Sequence, residues 1–421
     1  MLERLRLTDF KSFVDEEAEL APLTLLVGAN ASGKSNFLDA LRFLQQIAFD
    51  GPLADMLNGV RGRLGKQSGI RGKAPEAARL GATGFAVEST WMAPIPEDMS
   101  YDDAVWPTEA SLLVELTHRI ACSTLPDVLL EAESLGRDRS EGSLYRTGAV
   151  RGDMIEAPWP PLDRRAKKPS GSTTLIPRDQ SANWTILDGH GSSAVPDDVV
   201  DYAGSLVIAL YRLRFVDIQP TRMRSYGRRR VPLGEDGSNI SGILAQLCDD
   251  PEEKQTLIEW LTEICAPELV DLDFIEVPEL GDVMAVLVEK GGRRITARSL
   301  SDGTLRFLGI LVALRTAAPG SVILMEDIEA DLHPTRIRML VEYLEAVTRE
   351  RNIQIIATTH SPVVLEWLSE DALRSAIVFG RTPEREGTVM RRLGDLPHFG
   401  EIVKRKGIDE LFTTGWLEMA L

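Results

Sequence analysis

The sequence predicts an α/β protein, a parallel sheet covered by helices, with a β-rich lobe and an inserted helical segment. Three observations predict it. Uninterrupted apolar runs alternate with helix-spaced segments at both ends of the chain: Leu23-Thr-Leu-Leu-Val27 precedes Phe37 to Phe43, and Leu305 to Leu314, Val322-Ile-Leu-Met325, Thr335 to Val347 and Ile353-Gln-Ile-Ile-Ala357 follow one another later. Such strands suit a sheet buried on both faces. Between these ends, Ser111-Leu-Leu-Val-Glu-Leu-Thr-His118 and Val128-Leu-Leu-Glu-Ala-Glu133 alternate with period two, as half-buried strands do. Finally, 421 residues are too many for one small domain and fit two to three domains or one large core with insertions.

In chain order, residues 1–155 read as the first part of the core plus the β-rich lobe. Residues 156–200 read as an inserted loop-rich segment, because Pro158, Pro160, Pro161, Arg164, Arg165, Lys167, Lys168 and Pro169 accumulate there. Residues 201–290 are expected to form a helical lobe, and residues 291–421 the second part of the core. No sustained heptad lies between 50 and 295, and no 20- to 50-residue period repeats.

Composition excludes several classes. With 64 Asp and Glu against 47 Lys and Arg, the net charge of −17 argues against coating nucleic acid through global charge. Residues 241–280 alone carry −10, from eleven carboxylates and one lysine, leaving −7 for the other 381 residues. Leu257, Ile258, Leu261 and Ile264 fall at helical spacing among these acids, so a solvated helix face accounts for the run. Just before it stand Arg222, Arg224, Arg228, Arg229 and Arg230. Either a solvated loop or a contact with a nucleic-acid backbone or partner explains that cluster. Cys122, Cys248 and Cys265 have no C-x-x-C spacing, which excludes a disulfide framework or structural zinc and leads to the expectation of a reducing, cytoplasmic setting. The start of the chain lacks the apolar core of a signal peptide, and no apolar run reaches the ~20 residues of a membrane span. His118, His190 and His398 have no neighbours at catalytic or metal spacing and receive no role.

The chemistry begins at Gly28-Ala-Asn30-Ala-Ser32-Gly33-Lys34-Ser35, a G-x-x-x-x-G-K-[ST] loop between a buried strand and a helix. Gly28 and Gly33 let backbone N–H groups approach phosphates at a helix N-terminus. Lys34 would neutralise the β- and γ-phosphates of a nucleotide, and Ser35 would ligate Mg²⁺. Leu300-Ser301-Asp302-Gly303-Thr304 opens another helix, a second anion-binding end. The strand Val322 to Met325 then ends in Glu326-Asp327, the first suited to a metal shell and the second to polarising water. Ile353-Gln-Ile-Ile-Ala-Thr-Thr-His360 places a histidine at the end of a further strand, within reach of a γ-phosphate.

In these motifs the chain resembles the ABC-type ATPases of the SMC/RecF/OLD kind, soluble AAA-like ATPases of DNA repair and phage defence. The resemblance rests on Asp9-Phe-Lys-Ser-Phe13, on Val27-Gly-Ala-Asn-Ala-Ser-Gly-Lys-Ser-Asn36, on Leu300 to Thr304, on Glu326-Asp-Ile-Glu-Ala-Asp-Leu-His-Pro334 and on Thr358-Thr-His-Ser-Pro362. It covers about the first 50 and last 130 residues. It implies a P-loop NTPase of ABC-ATPase head type, an ATP- and Mg²⁺-dependent ATPase that closes as a head-to-tail homodimer, or a higher oligomer. Ser301 and Gly303 would then bind the γ-phosphate of nucleotide held by the second protomer. His333 would fall where the partners cross, His360 would be the switch histidine, and Gln219 a candidate metal-coupling residue. Asn36 completes the phosphate-loop set.

The usual Asp-Glu pair is Glu326-Asp327 here, one methylene shorter at the water-activating position, which implies slow turnover. The separation of 266 positions between Lys34 and Leu300 exceeds that of a transporter's nucleotide domain, and the missing heptads count against a chromosome-organising role. Only 61 residues follow His360, too few for the appended nuclease of the OLD kind. The expected function is the ATPase component of an anti-phage system that controls a separately encoded effector such as a nuclease. The alternatives are a RecF-like DNA-repair ATPase and a nucleotide-gated scaffold that does not hydrolyse.

Overall fold

The computed structural model describes the chain except residues 50, 60, 63–64, 67, 95–112, 138–142, 159–172, 188–194, 196, 230–231, 265–267 and 383–384. Arg230, His190, Cys265 and the stretch from Pro160 to Pro169 therefore lie outside the described residues.

The apolar runs form the expected parallel sheet. Among the described residues its strands lie in the order Leu213–Val216, Val322–Met325, Gln354–Thr359, Leu23–Val27, Ile377–Gly380 and Val389–Arg392. The first five are parallel and the last is antiparallel. Because successive side chains point to opposite faces, each strand feeds two cores. Leu26, Leu324, Ile356 and Phe379 pack on one side with Phe37, Leu41 and Leu44 of the helix Lys34–Ile47. Leu25, Val27, Ile323, Met325, Ile355 and Ala357 pack on the other, with Leu305 and Leu308 of the helix Asp302–Arg315 and Leu340 and Leu344 of Pro334–Arg351. Each fully buried side chain of this size stabilises the fold by about 1.5–3 kcal/mol, so both helix layers are fixed to the sheet.

Register pairs Val216 with Met325, Met325 with Ala357, and Thr359 with Val27. The loops that follow these four strands therefore leave from one edge, where ligands bind in open α/β sheets.

The period-two segments join the N-terminal strands in an antiparallel sheet. Its order is Asp15–Glu19, Leu2–Thr8, Gly84–Pro94, Leu113–Ser123, Leu129–Arg137 and Ser143–Arg146. The helix Asp197–Tyr211 packs between it and the helix Lys34–Ile47. His118 is a buried member of this lobe: its Nε2 lies 2.9 Å from Glu133 Oε1, an oxygen that also accepts from Ser181 Oγ at 2.9 Å.

The segment expected as helical contains strands as well. The helices Ile240–Leu247 and Pro251–Ile264 pack on a sheet of Gly227–Arg228, Asp282–Glu289 and Leu269–Val277, with Arg294–Thr296 also paired to Asp282–Glu289. Leu257 and Leu261 face inward, as their spacing predicts, but the acidic run continues past the helix into a strand whose Leu269 and Leu272 are buried. There the acids have cationic neighbours, Asp271 with Lys254 and Asp273 with Arg294. The longest helix among the described residues has 18 residues, and none there is long and apolar enough to cross a membrane.

Candidate active site

The phosphate loop is shaped by its glycines. Gly28 has φ 145° and Gly33 φ 114°, conformations that side chains rarely adopt. A Cβ on Gly28 would lie 2.3 Å from Phe379 O, and one on Gly33 2.5 Å from Thr388 Oγ1. The helix Lys34–Ile47 starts at Gly33 without a side-chain cap, so its first N–H groups are left for a ligand. Lys34 is buried, and its Nζ donates to Gly28 O at 2.7 Å and Ala29 O at 2.9 Å. Burial pushes its pKa below the ordinary lysine value, opposed by the nearby carboxylates of Asp327, Glu418 and Glu329. Asn30 is exposed at the loop tip, whereas Ser32 is buried.

The Asp9-Phe-Lys-Ser-Phe13 segment braces this loop. Asn36 Nδ2 donates to Ser12 Oγ at 2.9 Å, and Thr388 Oγ1 lies 2.8 Å from Ser12 Oγ and 3.0 Å from Ser32 O. Lys11 pairs with Asp39 on the loop's helix at 2.5 Å.

The acids arrive from the neighbouring strands. Glu326 is held by Arg71, whose Nη2 lies 2.9 Å from Glu326 Oε1. The same guanidinium donates from Nη2 to Ser35 O at 2.5 Å and from Nε to Asp39 Oδ1 at 3.1 Å, so it places Glu326 beside the start of the loop's helix. Asp327 has a left-handed backbone, φ 47°. Its N–H donates to Thr358 Oγ1 at 2.9 Å, and that hydroxyl donates back to Asp327 Oδ1 at 3.1 Å. His360 Nε2 stands 3.5 Å from the same carboxylate oxygen. The His360 N–H donates to Glu329 Oε1 at 2.7 Å, while Glu329 Oε2 is buried with no hydrogen-bond partner. Gln219 follows the strand beside Val322–Met325; it is exposed, with its Nε2 donating to Asp217 Oδ2 at 3.0 Å.

Ser301 and Gly303 belong to another group of contacts. Ser301 caps its own helix, accepting from the Thr304 N–H at 3.2 Å, and a Cβ on Gly303 would lie 2.6 Å from Asp331 O. Ser301 and Asp302 are exposed. His333 caps the helix Pro334–Arg351 with Nδ1. The structure thus gathers Lys34, Ser35, Glu326, Asp327 and His360 at one edge and sets Ser301 and Gly303 beside Asp331.

Most of the described arginine cluster has internal partners. Arg224 donates to Arg298 O at 2.8 Å and Leu300 O at 2.7 Å and pairs with Asp302, so it fixes the turn before Ser301. Arg229 pairs with Asp249 at 3.0 Å and Glu276 at 3.1 Å, and Arg228 with Asp282 at 3.4 Å. Arg222 is exposed.

Sequence reasoning missed Arg71, Thr388, Glu329 and Arg306. Arg306 lies five residues beyond Ser301 and donates to the carbonyls of Ile218, Glu326 and Asp327. Its helical position and Glu329's place two residues after Asp327 are the only signals that could have pointed to them.

A family model and several solved structures resemble this chain. The family described as "AAA domain, putative AbiEii toxin, Type IV TA system" matches residues 23–84 and 225–366, segments that hold the phosphate loop, Ser301, Gly303, Glu326, Asp327 and His360. No curated protein matches. Among solved structures, an Smc head bound to the C-winged helix domain of ScpA is 16% identical, with 93% of this chain and 98% of that chain covered at a TM-score of 0.46. An SMC head domain from Thermotoga maritima is 12% identical, with 93% and 98% covered at a TM-score of 0.40. An Smc head with an extended coiled coil, bound to the C-terminal domain of ScpA derived from Pyrococcus furiosus, is 14% identical, with 96% and 98% covered at a TM-score of 0.45.

Proposed function

We propose that this chain, with a P-loop ATPase fold of the ABC/AAA kind, is a slow, ATP-hydrolysing switch protein that closes as a head-to-tail dimer around ATP. The observation that carries this reading is the gathering of phosphate loop, paired acids and histidine at one sheet edge, while the exposed Ser301 and the Gly303 buried against Asp331 open a different helix.

The residues fit a nucleotide and its metal. Gly28 and Gly33 keep the cradle open where a Cβ would fill or block it. Lys34 would exchange the carbonyls of Gly28 and Ala29 for phosphate oxygens. One hydroxyl, Ser35, and one carboxylate, Glu326, are the sparse donor set that suits Mg²⁺, which completes its shell with phosphate and water. When bound, the ion would neutralise developing phosphate charge. Asp327 would orient and deprotonate the attacking water, with Thr358 and His360 fixing its carboxylate. Ser301 and Gly303 would supply the remaining donors to nucleotide on a second copy.

The defence role rests on the name of the matching family, which describes a putative toxin of a toxin–antitoxin system. In this reading the ATP-bound dimer holds or releases a separately encoded effector. The internal ion pairs of Arg224, Arg228 and Arg229 leave less free positive charge there for DNA, which weighs against the RecF-like alternative. A steady-state ATPase assay at high protein concentration tests the activity. Turnover should be slow and fall by about 10²-fold or more in Asp327→Asn. A fast rate that survives this substitution would refute the assignment.

A further inference from the structure

Arg306 sits on the helix Asp302–Arg315, one and a half turns beyond Ser301, and reaches into two loops of the active edge. Its Nη2 donates to Asp327 O at 2.8 Å and Glu326 O at 3.1 Å, and its Nη1 donates to Ile218 O at 3.2 Å. Nε of the same guanidinium is buried without a hydrogen-bond partner. Three carbonyls from two loops converge on one rigid, planar cation, an arrangement that fixes distances between elements far apart in sequence.

Two further features tie these elements to one another. Gly309, on the same helix, is packed against Ile218 so closely that a Cβ there would lie 2.7 Å from Ile218 Cγ2. Ile218 directly precedes Gln219. In addition, Asp327 holds a left-handed backbone without being glycine, a conformation that persists only where its surroundings enforce it. The Arg306 donor on the Asp327 carbonyl and the Thr358 hydroxyl on its N–H hold the two peptide groups that flank the Asp327 Cα.

We infer that Arg306 is a positioning residue: it sets the backbone of Asp327, and through it the carboxylate, according to the seating of the Ser301 helix and the Gln219 loop. This deepens the dimeric ATPase reading and rests on it. Contact of Ser301 and Gly303 with nucleotide on a second copy displaces the helix that carries Arg306. The displacement is then felt at the water-activating acid of the same chain, so occupancy of one site tunes the chemistry of the other.

The test uses the full chain with Arg306→Ala and Arg306→Lys. Fluorescent ATP-analogue binding, steady-state turnover and hydrogen–deuterium exchange are measured on each. Misplacing a catalytic group by about 1 Å costs about 10²-fold, so kcat in Arg306→Ala should fall by that order with KM within about threefold. Arg306→Lys keeps one cationic donor and should recover part of the loss. In the wild type, ATP and Mg²⁺ should alter exchange in both 326–332 and 300–308. In Arg306→Ala the response of 300–308, which meets nucleotide directly, should persist, while that of 326–332 should shrink. A raised KM with unchanged kcat, no advantage of Arg306→Lys over Arg306→Ala, or an exchange response transmitted as in the wild type would each overturn the inference. If the wild type binds ATP but does not hydrolyse it, the ATPase reading fails, and the exchange response still decides the role of Arg306.

Discussion

The phosphate loop and the Ser301 turn use the same materials, small residues in front of a helix N-terminus, yet they are finished differently. The loop is closed on itself: Lys34 is buried against the loop's own carbonyls, and Gly28 and Gly33 are pressed against Phe379 and Thr388. The Ser301 turn is anchored from behind by Arg224 and Asp331 and faces outward. In the proposed reading, the difference separates a preformed cradle from a surface that meets its ligand on a second molecule. A preorganised site spends little on ordering when its ligand arrives, whereas a docking turn can report that arrival.

Substitutions should separate the two regions. The largest effect is expected for Gly28→Ala, where a side chain would stand 2.3 Å from a backbone carbonyl at φ 145°. Strain of roughly 3 kcal/mol or more, about 10²-fold in affinity, should abolish useful nucleotide binding in a folded protein, as calorimetric titration with ATP would show. Near wild-type affinity would mean that the cradle is not rigid. Arg224→Ala should act on the other region: nucleotide affinity stays within about threefold while turnover falls about tenfold, because the turn before Ser301 loses three of its fastenings. Arg222→Ala is the smallest, with thermal stability within about 0.5 kcal/mol of wild type and turnover unaltered, because the side chain is exposed. A turnover loss there as large as that in Arg224→Ala would contradict the distinction.

The legible parts of the molecule were those encoded locally. The phosphate loop, Glu326-Asp327 and His360 each sit where an apolar strand ends, and strand periodicity can be read within a few residues. Parallel pairing then gathers them without any further signal. What escaped depends on partners distant in sequence. Arg71 meets Glu326 across 255 positions, Thr388 meets Ser12 across 376, and Arg306 finds its carbonyls 20 and more residues away. Nothing in the composition near those residues marks such contacts. The charge reading was incomplete for the same reason: the acids of 241–280 and the arginines before them look like two opposed patches in sequence, but folding sets Arg229 between Asp249 and Glu276. The strand Leu269–Val277 was hidden by its acids and by a register shift between Leu269 and Asp271, which sets the buried Leu269 and Leu272 three positions apart instead of two.

The central claim is that each ATP site is completed by the Ser301 turn of another copy, and mixing two inactive variants tests it most directly. Lys34→Ala removes the cradle's cation, and Ser301→Arg blocks the docking turn with bulk and charge. Each alone should show no turnover above background. In a head-to-tail pair formed from both, one composite site retains Lys34 from one chain and Ser301 from the other. The mixture should therefore regain a measurable fraction of wild-type ATPase activity, rising with protein concentration. A mixture as inactive as its components, or a Ser301→Arg chain that turns over ATP at the wild-type rate, would contradict the account.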